Sequence, residues 1–345
     1  MPLPSRKPLA KSDIIFSAMS LRDAHQRTIR DLRISLTAAC NFRCFYCLPQ
    51  GSRHGVSPTL AISEISRLAA VFVSLGIEKI RLTGGEPMLR RDLPALVEML
   101  ASLTPRPNIA LTTNGTGFAD QARALKQHGL DRATVSIDSL DRENFRQITR
   151  IDGLPAALKA VDAAIDEQLF PVKINTVIVR GRNDNEIAEM AAFAREKAVA
   201  VRFIEFMPLD AGGSWQRDLV VSGREIRQHI DRRFPLVESG GNRGSKTAQT
   251  FRFADGSPGS IGIIAPVTEP FCGACSRIRL TADGQMRTCL FSASEFDIIG
   301  PLRRGADDAE IANLIRSAVH QKEKGHHIDS PGLLRPNRSM SMIGG

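Results

Sequence analysis

The chain has 345 residues, of which 42% are hydrophobic and 24% charged, and it carries a formal net charge of +9. It contains no apolar run of about 18 residues, as a membrane-spanning helix requires, and residues 1–30 lack the apolar core of a secretory signal, so we expect a cytoplasmic protein without a membrane partner. The basic balance indicates an anionic partner, and dispersed basic residues with one Trp and one Tyr favour a small phosphorylated ligand over nucleic acid.

Short β-rich runs alternate with amphipathic helical patterns through the first part of the chain. The predicted strands are residues 32–36, 79–83, 109–113, 134–137, 172–179 and 201–206. The predicted helices are residues 63–75, 93–103, 120–128, 154–167 and 185–197. Ser63 and Asp120 are the expected N-caps of two of these helices, and Gly76 and Gly129 are expected to end them.

This alternation predicts βαβ units and therefore a parallel sheet. Because six strands are present and no dinucleotide-binding fingerprint accompanies them, we predict an α/β fold built as an incomplete (β/α)6 barrel of the TIM type. A doubly wound sheet is the less favoured arrangement. In such a barrel the chemistry takes place at the C-terminal ends of the strands.

The pattern changes after residue 210, where Gly and Ser become frequent. The elements predicted beyond that point are strands at 250–253 and 260–264, a hairpin of 278–281 and 285–288 that turns on Asp283–Gly284, and a helix at 307–322. We therefore divide the chain into an N-terminal extension (1–30), a partial barrel (31–210) and a C-terminal region (211–345).

The six cysteines form two triplets, Cys40, Cys44 and Cys47 in the first and Cys272, Cys275 and Cys289 in the second. In a chain without an export signal, clustered thiols indicate metal ligands rather than disulfides. The first triplet has the spacing C-x3-C-x2-C and directly follows the first predicted strand. Three thiolates can hold three irons of a [4Fe-4S] cluster and leave the fourth iron open for a small molecule. The alternative is a zinc site, which normally takes four ligands.

Two motifs around the first triplet resemble the radical S-adenosylmethionine superfamily. Tyr46 precedes the third cysteine, and the run TGGEP at residues 83–87 follows the second predicted strand. The resemblance implies that this run, with Gly84 and Gly85, holds the methionine amino group of the cofactor. The residues agree, because paired glycines allow close backbone approach and Glu86 offers a carboxylate to an ammonium.

The second triplet, C-x2-C-x13-C, also leaves one iron of a cluster open. If the SRIRL segment at 276–280 is a strand, Arg277 and Arg279 point to the same face and form an anion pocket beside the metal. The alternative interpretation is a zinc ribbon that lacks one ligand, with exposed arginines on its strand.

With this segment, the sequence from about residue 30 to residue 345 resembles one family, the GTP 3′,8-cyclases of molybdenum-cofactor biosynthesis. The matching motifs are LRISLT at 32–37, RLTGGEPM at 81–88, RFIEFMPL at 202–209, the block at 272–290 and the terminal Gly-Gly. The resemblance implies a C-terminal extension that closes the open side of the barrel, and two [4Fe-4S] clusters, one on each triplet. The S-adenosylmethionine contacts it implies are Tyr46, Gly85, Ser136 and Met207. The GTP contacts it implies are Arg33, Lys79, Arg81, Thr112, Lys173, Arg202, Arg277, Ile278 and Arg279, and Gly344 and Gly345 would assist catalysis.

The resemblance also implies a mechanism and partners. Reductive cleavage of the cofactor gives a 5′-deoxyadenosyl radical, which abstracts the ribose 3′ hydrogen of GTP. The sugar radical attacks guanine C8, and reduction yields 3′,8-cyclo-7,8-dihydro-GTP. An external electron donor, the downstream cyclic pyranopterin monophosphate synthase and a second copy of the chain in a homodimer are the implied partners.

Two segments depart from the family, and two other interpretations stay open. Ala38-Ala39 stands where most members have Asp-Arg, and residues 48–60 differ from the usual loop; both border the first triplet. The alternatives are another radical S-adenosylmethionine enzyme with an auxiliary cluster, such as a peptide-modifying maturase, and a zinc-binding nucleic-acid module.

Overall fold

The computed structural model describes residues 20–47, 59–209, 213–241, 243–326, 328 and 338–344. Its described strands form one sheet in the order β12-β11-β10-β1-β2-β3-β4-β5-β6-β9-β8-β7. The strands are β1 Asp31–Ser35, β2 Lys79–Thr83, β3 Asn108–Thr113, β4 Arg132–Ser136, β5 Lys173–Ile178, β6 Ala200–Glu205, β7 Leu236–Glu238, β8 Gln249–Phe253, β9 Ser260–Ile264, β10 Arg277–Leu280, β11 Gln285–Arg287 and β12 Phe296–Asp297.

Helices follow most of the parallel strands. They are α1 Ile62–Ser74, α2 Leu93–Ala101, α3 Phe118–Gln127, α4 Arg142–Thr149, α5 Leu154–Asp166, α6 Ile187–Glu196, α7 Gly223–Asp231, α8 Ile299–Arg303, α9 Asp308–His320 and α10 Met340–Ile343. In the described part of the chain no helix is long and apolar enough to cross a membrane.

The predicted α/β alternation is confirmed, with β1 to β6 pairing in parallel and in chain order. The C-terminal region extends this sheet at both ends, since β10 pairs parallel with β1 and β9 pairs parallel with β6. The predicted hairpin is present as β10 and β11, and Gly284 has the positive φ of 84° that its turn requires.

Alternation along the strands decides which side chains face the helices and which face the interior. On β2, Ile80 and Leu82 have 0% exposure and belong to the apolar core, whereas Arg81 between them lines the internal cavities. On β1, Leu32 and Ile34 are buried in the same core and Arg33 takes the interior position. The period of two therefore places charged residues of neighbouring strands side by side inside the fold.

Both predicted N-caps were wrong, because the observed N-cap lies two residues earlier in α1 and three residues earlier in α3. The N-cap of α1 is Ala61, whose backbone N–H donates to Glu64 Oε2 at 2.8 Å, and Ser63 already lies within the helix. The N-cap of α3 is Gly117 with φ of 70°, a left-handed conformation. The predicted ends held, since Gly76 and Gly129 directly follow the C-caps of α1 and α3 with positive φ.

Four described helices were not predicted from the sequence, namely α4, α7, α8 and α10. Helix α4 is short and is capped by Asp141, whose Oδ1 accepts from the Asn144 backbone N–H at 2.7 Å. Helix α7 begins with a capping box, in which Ser222 and Glu225 bond each other's backbone N–H groups. The box lies after residue 210, in a region for which no helix was predicted before residue 307.

Candidate active site

Both cysteine triplets line one cavity of about 300 Å³. The first triplet lies in the loop after β1, and the second brackets β10, which is the parallel neighbour of β1. The sheet therefore brings together two groups of thiols that are more than two hundred residues apart in the sequence. All six cysteines are free thiols of intermediate exposure, with no disulfide between them.

Burial keeps the thiols of the first triplet protonated in the metal-free protein. It raises the pKa of Cys47 to about 12 and also raises those of Cys40 and Cys44. Cys40 Sγ accepts from the Phe42 backbone N–H at 3.4 Å, which fixes the start of the loop. Because the thiolate is the form that binds metal, the positive charge of bound iron must displace these protons.

The paired glycines after β2 pack directly onto the backbone of the first triplet's loop. The Gly85 N–H donates to the Thr37 carbonyl at 2.6 Å, and a Cβ on Gly85 would lie 2.0 Å from the Ala39 carbonyl oxygen. The neighbouring Gly84 has φ of 141°. Only residues without side chains allow this approach. The departure from the family at Ala38-Ala39 therefore lies against this turn.

Glu86 is buried, with 1% exposure, at the base of the same turn. Its carboxylate accepts from Thr113 Oγ1 and the Asn114 N–H, both at 2.7 Å, and from the Met88 N–H at 3.0 Å. Burial nevertheless outweighs these hydrogen bonds and raises the pKa of Glu86 to about 7. A cationic ligand in the cavity would favour the ionised carboxylate.

Asp138 was not recognised from the sequence, although it follows Ser136 by two positions at the end of β4. It lines the cavity and accepts from Tyr46 Oη at 2.5 Å and from the Val177 N–H at 2.8 Å. Burial raises its pKa to about 6. Polar residues at the C-terminal end of a barrel strand are the signal that could have identified it.

A second cavity of about 420 Å³ lies at the opposite ends of the strands. It is lined by the first residues of several strands, among them Asp31, Lys79, Arg132, Lys173 and Ala200. Five residues line both cavities, namely Arg33, Arg81, Arg202, Thr247 and Arg277. The two spaces therefore adjoin through a wall that is mostly guanidinium.

The cations in this interior lie close enough together to lower one another's pKa values. Burial, together with Arg202 and Arg132, lowers the pKa of Lys173 to about 7. Burial and the Arg277 charge lower the pKa of Arg33 to about 10. Arg81 donates to Thr112 Oγ1 at 3.0 Å and to Thr134 Oγ1 at 3.1 Å, both neutral acceptors. These positive charges are thus only partly balanced by negative ones, which favours the binding of an anion.

Most of the predicted site residues lie around these two cavities. The first is lined by Tyr46, Gly84, Gly85, Glu86, Thr112, Ser136, Met207 and Arg279, in addition to the cysteines. Lys79 and Lys173 line the second, and the Lys79 side chain is 51% exposed. Ile278 is the exception, because its side chain has 0% exposure within the apolar core and points away from both cavities.

The C-terminal segment reaches the same interior. Arg279 Nη1 donates to the Gly344 carbonyl, and a Cβ on Gly344 would lie 2.7 Å from Thr83 Cγ2. Gly344 also has φ of 74°, which favours glycine. Gly345, predicted to act with it, lies outside the described residues.

The residues present fit an iron–sulfur cluster with bound S-adenosylmethionine. Three thiols at the cavity wall are the donor set of a cluster with one open iron. Beside them, Asn175 lines the same cavity and its buried Oδ1 has no hydrogen-bond partner in the described structure. A buried acceptor of this kind is satisfied by a ligand or water. Asn175 is a further residue that the sequence did not reveal.

Comparisons with known proteins agree over nearly the whole chain. Residues 34–194 match the Radical SAM superfamily, and residues 199–328 match Molybdenum Cofactor Synthesis C. The GTP 3′,8-cyclase of Streptomyces coelicolor is 46% identical over 329 residues, which cover 94% of this chain and 96% of that protein. The chain belongs to the GTP 3′,8-cyclase family. The GTP 3′,8-cyclase of Mycolicibacterium smegmatis is 44% identical over 331 residues, covering 94% of this chain and 92% of that protein.

Solved structures place this GTP 3′,8-cyclase family member among radical S-adenosylmethionine folds. Native anSMEcpe with bound AdoMet has a TM-score of 0.59 at 14% identity, covering 86% of this chain and 82% of that one. Streptococcus suis SuiB bound to precursor peptide SuiA has a TM-score of 0.58 at 13% identity, covering 86% and 68%. The shared architecture is an α/β fold of the TIM type. The chain is thus a radical S-adenosylmethionine enzyme that uses an iron–sulfur cluster.

Proposed function

We propose that this chain binds GTP and S-adenosylmethionine in the two adjoining cavities and converts GTP to 3′,8-cyclo-7,8-dihydro-GTP, the first step of molybdenum-cofactor synthesis. The observation that carries the proposal is that both cysteine triplets and a wall of arginines line one interior. The names of the relatives support GTP as the substrate.

At the first triplet, Cys40, Cys44 and Cys47 would hold the cluster, and Glu86 would take the amino group of S-adenosylmethionine. Together the cluster and this cofactor supply a 5′-deoxyadenosyl radical. The protein orients the cofactor through Tyr46, whose position Asp138 fixes, and through Ser136 and Met207 along the same wall. Orientation and exclusion of water are what a protein contributes to radical chemistry.

At the second triplet, Cys272, Cys275 and Cys289 would hold a second [4Fe-4S] cluster, with the guanine of GTP facing its open iron. Arg277 and Arg279 project from β10 beside these thiols and line the same cavity. Their guanidiniums would orient the nucleotide, because a guanidinium presents several donors in a fixed plane.

The triphosphate would extend toward the second cavity. It carries about four negative charges, and the cations available there are Lys79, Arg81, Lys173 and Arg202. Arg33 stands between the two cavities and would contact the nucleotide where its sugar meets its phosphates. The catalytic assistance of Gly344 and Gly345 is part of the same proposal, supported by the hydrogen bond from Arg279 to the Gly344 carbonyl.

For the architecture, we propose an incomplete (β/α)6 barrel at 31–210 whose open side is closed by the region 211–345. The pairing of β10 with β1 and of β9 with β6 supports this, since both flanking strands come from the C-terminal region. The two family matches, at 34–194 and 199–328, divide the chain close to the same boundary. An external electron donor, the downstream synthase and a homodimer complete the proposal, as does a cytoplasmic location.

The test is an anaerobic assay of the iron-reconstituted chain with reductant, S-adenosylmethionine and either GTP or ATP. We expect GTP, but not ATP, to stimulate 5′-deoxyadenosine formation and to yield a cyclised nucleotide. We expect about eight irons per chain, falling to about four when Cys272, Cys275 and Cys289 are all changed to Ala. Formation of 5′-deoxyadenosine with GTP returned unchanged would refute the substrate, and zinc without iron would refute the enzyme class.

A further inference from the structure

Arg27, in the segment before β1, is buried against the loop that carries the second cysteine triplet. Its side chain is 6% exposed. Its Nη1 donates to the Cys272 carbonyl at 2.9 Å and to the Lys324 carbonyl at 2.8 Å, and its Nη2 donates to the Glu323 carbonyl at 2.5 Å. One guanidinium thus joins the first ligand of the triplet to the segment that follows α9.

The charge of Arg27 is balanced locally. Asp23 is fully buried, and its Oδ2 accepts from Arg27 Nε at 2.5 Å. The other oxygen, Oδ1, accepts from the backbone N–H groups of His25 and Arg27, both at 2.9 Å. Asp23 therefore holds Arg27 in place.

Lys322 is buried near the same triplet, with 3% exposure. Its Nζ donates to the Arg277 carbonyl at 3.0 Å and to the Thr288 carbonyl. These carbonyls belong to residues two positions after Cys275 and directly before Cys289. A single ammonium therefore joins the two ends of the β10–β11 hairpin. Cys275 and Cys289 flank these two ends.

Among the residues that the structure describes, no salt bridge balances the charge of Lys322. Within the described residues its hydrogen bonds go to backbone carbonyls, and the nearby carboxylate of Glu323 accepts instead from Thr288 Oγ1 at 2.8 Å. Lys322 lines the cavity with Cys275 and Cys289.

We propose that Arg27 and Lys322 are positioning residues for the second metal centre, with separate roles. Arg27 anchors the Cys272 loop, and Lys322 fixes the hairpin while placing a buried positive charge beside the second triplet. This inference rests on the proposed second cluster. A thiolate-bound cluster becomes more negative when it is reduced, so a buried cation stabilises the reduced form and makes the reduction potential less negative.

The role of Lys322 is tested by Lys322→Gln, which keeps a donor but removes the charge, and by Lys322→Arg, which keeps the charge. Both are made in full-length protein carrying Cys40→Ala, Cys44→Ala and Cys47→Ala, so that only the second cluster is bound. The midpoint potential is followed by electron paramagnetic resonance during an anaerobic redox titration. We expect a more negative potential for Lys322→Gln and an almost unchanged one for Lys322→Arg. An unchanged potential in Lys322→Gln, or an equal shift in both variants, overturns the role.

The role of Arg27 is tested by the rate at which a chelator removes iron. Because Arg27→Met alone would leave a buried Asp23 carboxylate unpaired, the variant is Arg27→Met with Asp23→Asn. We expect iron to leave the second site at least tenfold faster than in the parent protein. The rate of iron loss from the first site, measured in the Cys272→Ala, Cys275→Ala, Cys289→Ala background, should not change. Equal rates from the second site with and without the change contradict the anchor. The control is Arg67→Met, which breaks a surface ion pair with Asp308.

Failure of this inference and failure of the proposed function give different results. If the unaltered chain binds about four irons and changing the second triplet to Ala removes none, the second cluster itself is refuted. If about eight irons bind, but the Lys322 variants leave the midpoint potential unchanged and the Arg27 variant leaves the iron-release rate unchanged, only the positioning roles are refuted.

Discussion

Tyr46 and Asp138 are joined by a hydrogen bond of 2.5 Å, in which the phenol donates to the carboxylate. Tyr46 belongs to the loop of the first cysteine triplet, and Asp138 follows β4. Asp138 is itself fixed by the Val177 N–H and lies 4% exposed. The contact therefore ties the loop of the first cysteine triplet to the end of β4.

If this bond positions Tyr46 for the cofactor, removing either partner should have the same effect. We expect Tyr46→Phe and Asp138→Ala each to weaken S-adenosylmethionine binding by about tenfold, which corresponds to about 1.4 kcal/mol. The double variant should be little weaker than either single variant, because the lost interaction is shared. Calorimetric titration of the reconstituted protein measures all four affinities. Additive losses would show that the two residues act separately.

Lys173 should take up a proton when a triphosphate binds. Its pKa in the fold is lowered to about 7, so at about pH 8 most of the side chain is neutral. Nearby phosphate charge favours the ammonium and raises that pKa. We expect uptake of roughly half to one proton per nucleotide at about pH 8 and almost none at about pH 6, where the ammonium is already formed. Calorimetry in buffers with different ionisation enthalpies measures this uptake.

The lowered pKa of Lys173 also determines how a substitution there changes the stability of the ligand-free protein. A depressed lysine pKa penalises the folded state below about pH 7, and the penalty vanishes as the pH rises toward the unfolded value of 10.5. Lys173→Met should therefore stabilise the ligand-free protein at about pH 6 and abolish the proton uptake. Lys159→Met, at an exposed position on α5, is the control and should do neither. Undiminished proton uptake in Lys173→Met would assign the proton to another group.

Gly85→Ala should destabilise the turn after β2, on which we propose that the cofactor lies. The new Cβ would lie 2.0 Å from the Ala39 carbonyl oxygen and 2.5 Å from its carbon, so the backbone must move. We expect the free energy of unfolding to fall by about 1–3 kcal/mol, as in other overpacked sites, together with weaker cofactor binding. Gly240→Ala is the matched control, because nothing lies within 4 Å of its Cβ. Denaturant titration compares them, and equal stabilities would show that the loop adapts freely.

Gly344→Ala should uncouple cofactor cleavage from product formation. The added methyl group meets Thr83 Cγ2 at 2.7 Å and the residue has φ of 74°, so the segment must leave its position beside Arg279. We expect several-fold more 5′-deoxyadenosine per cyclised nucleotide than in the unaltered enzyme. Gly181→Ala carries similar backbone strain, with φ of 72° and no atom within 4 Å, and should leave the ratio unchanged. An unchanged ratio in Gly344→Ala would remove the C-terminal segment from the chemistry.

The core of the fold could be predicted because its signals are local. All six predicted barrel strands lie within two residues of β1 to β6, and alternation in the sequence sets which face is apolar. Helix α4 escaped notice because it has only eight residues and three buried ones, too few for a clear period. The N-caps of α1 and α3 were misplaced because Ala61 and Gly117 are not the polar residues that usually mark a helix start.

The residues of the candidate site also fall into two groups, those that the sequence predicted and those that it did not. Residues within motifs, such as Cys40, Gly85 and Arg279, were predicted because motif spacing and strand ends are visible in the sequence. Arg27 and Lys322 were not, because their partners are backbone carbonyls at 272 and 288 that only the folded chain brings near. Ile278 was assigned to the ligand with its neighbours, although alternation along β10 turns its side chain into the core.

The wall between the two cavities also has a thermodynamic consequence. The same guanidiniums face both spaces, those of Arg33, Arg81, Arg202 and Arg277. If GTP and S-adenosylmethionine bind as proposed, these charges attract the triphosphate and repel the sulfonium of the cofactor, so that phosphate binding lowers the electrostatic cost of binding the cofactor. Linkage then requires each ligand to strengthen the other by the same factor. An enzyme built this way holds its cofactor most firmly when the nucleotide is present, which limits idle cleavage in its absence.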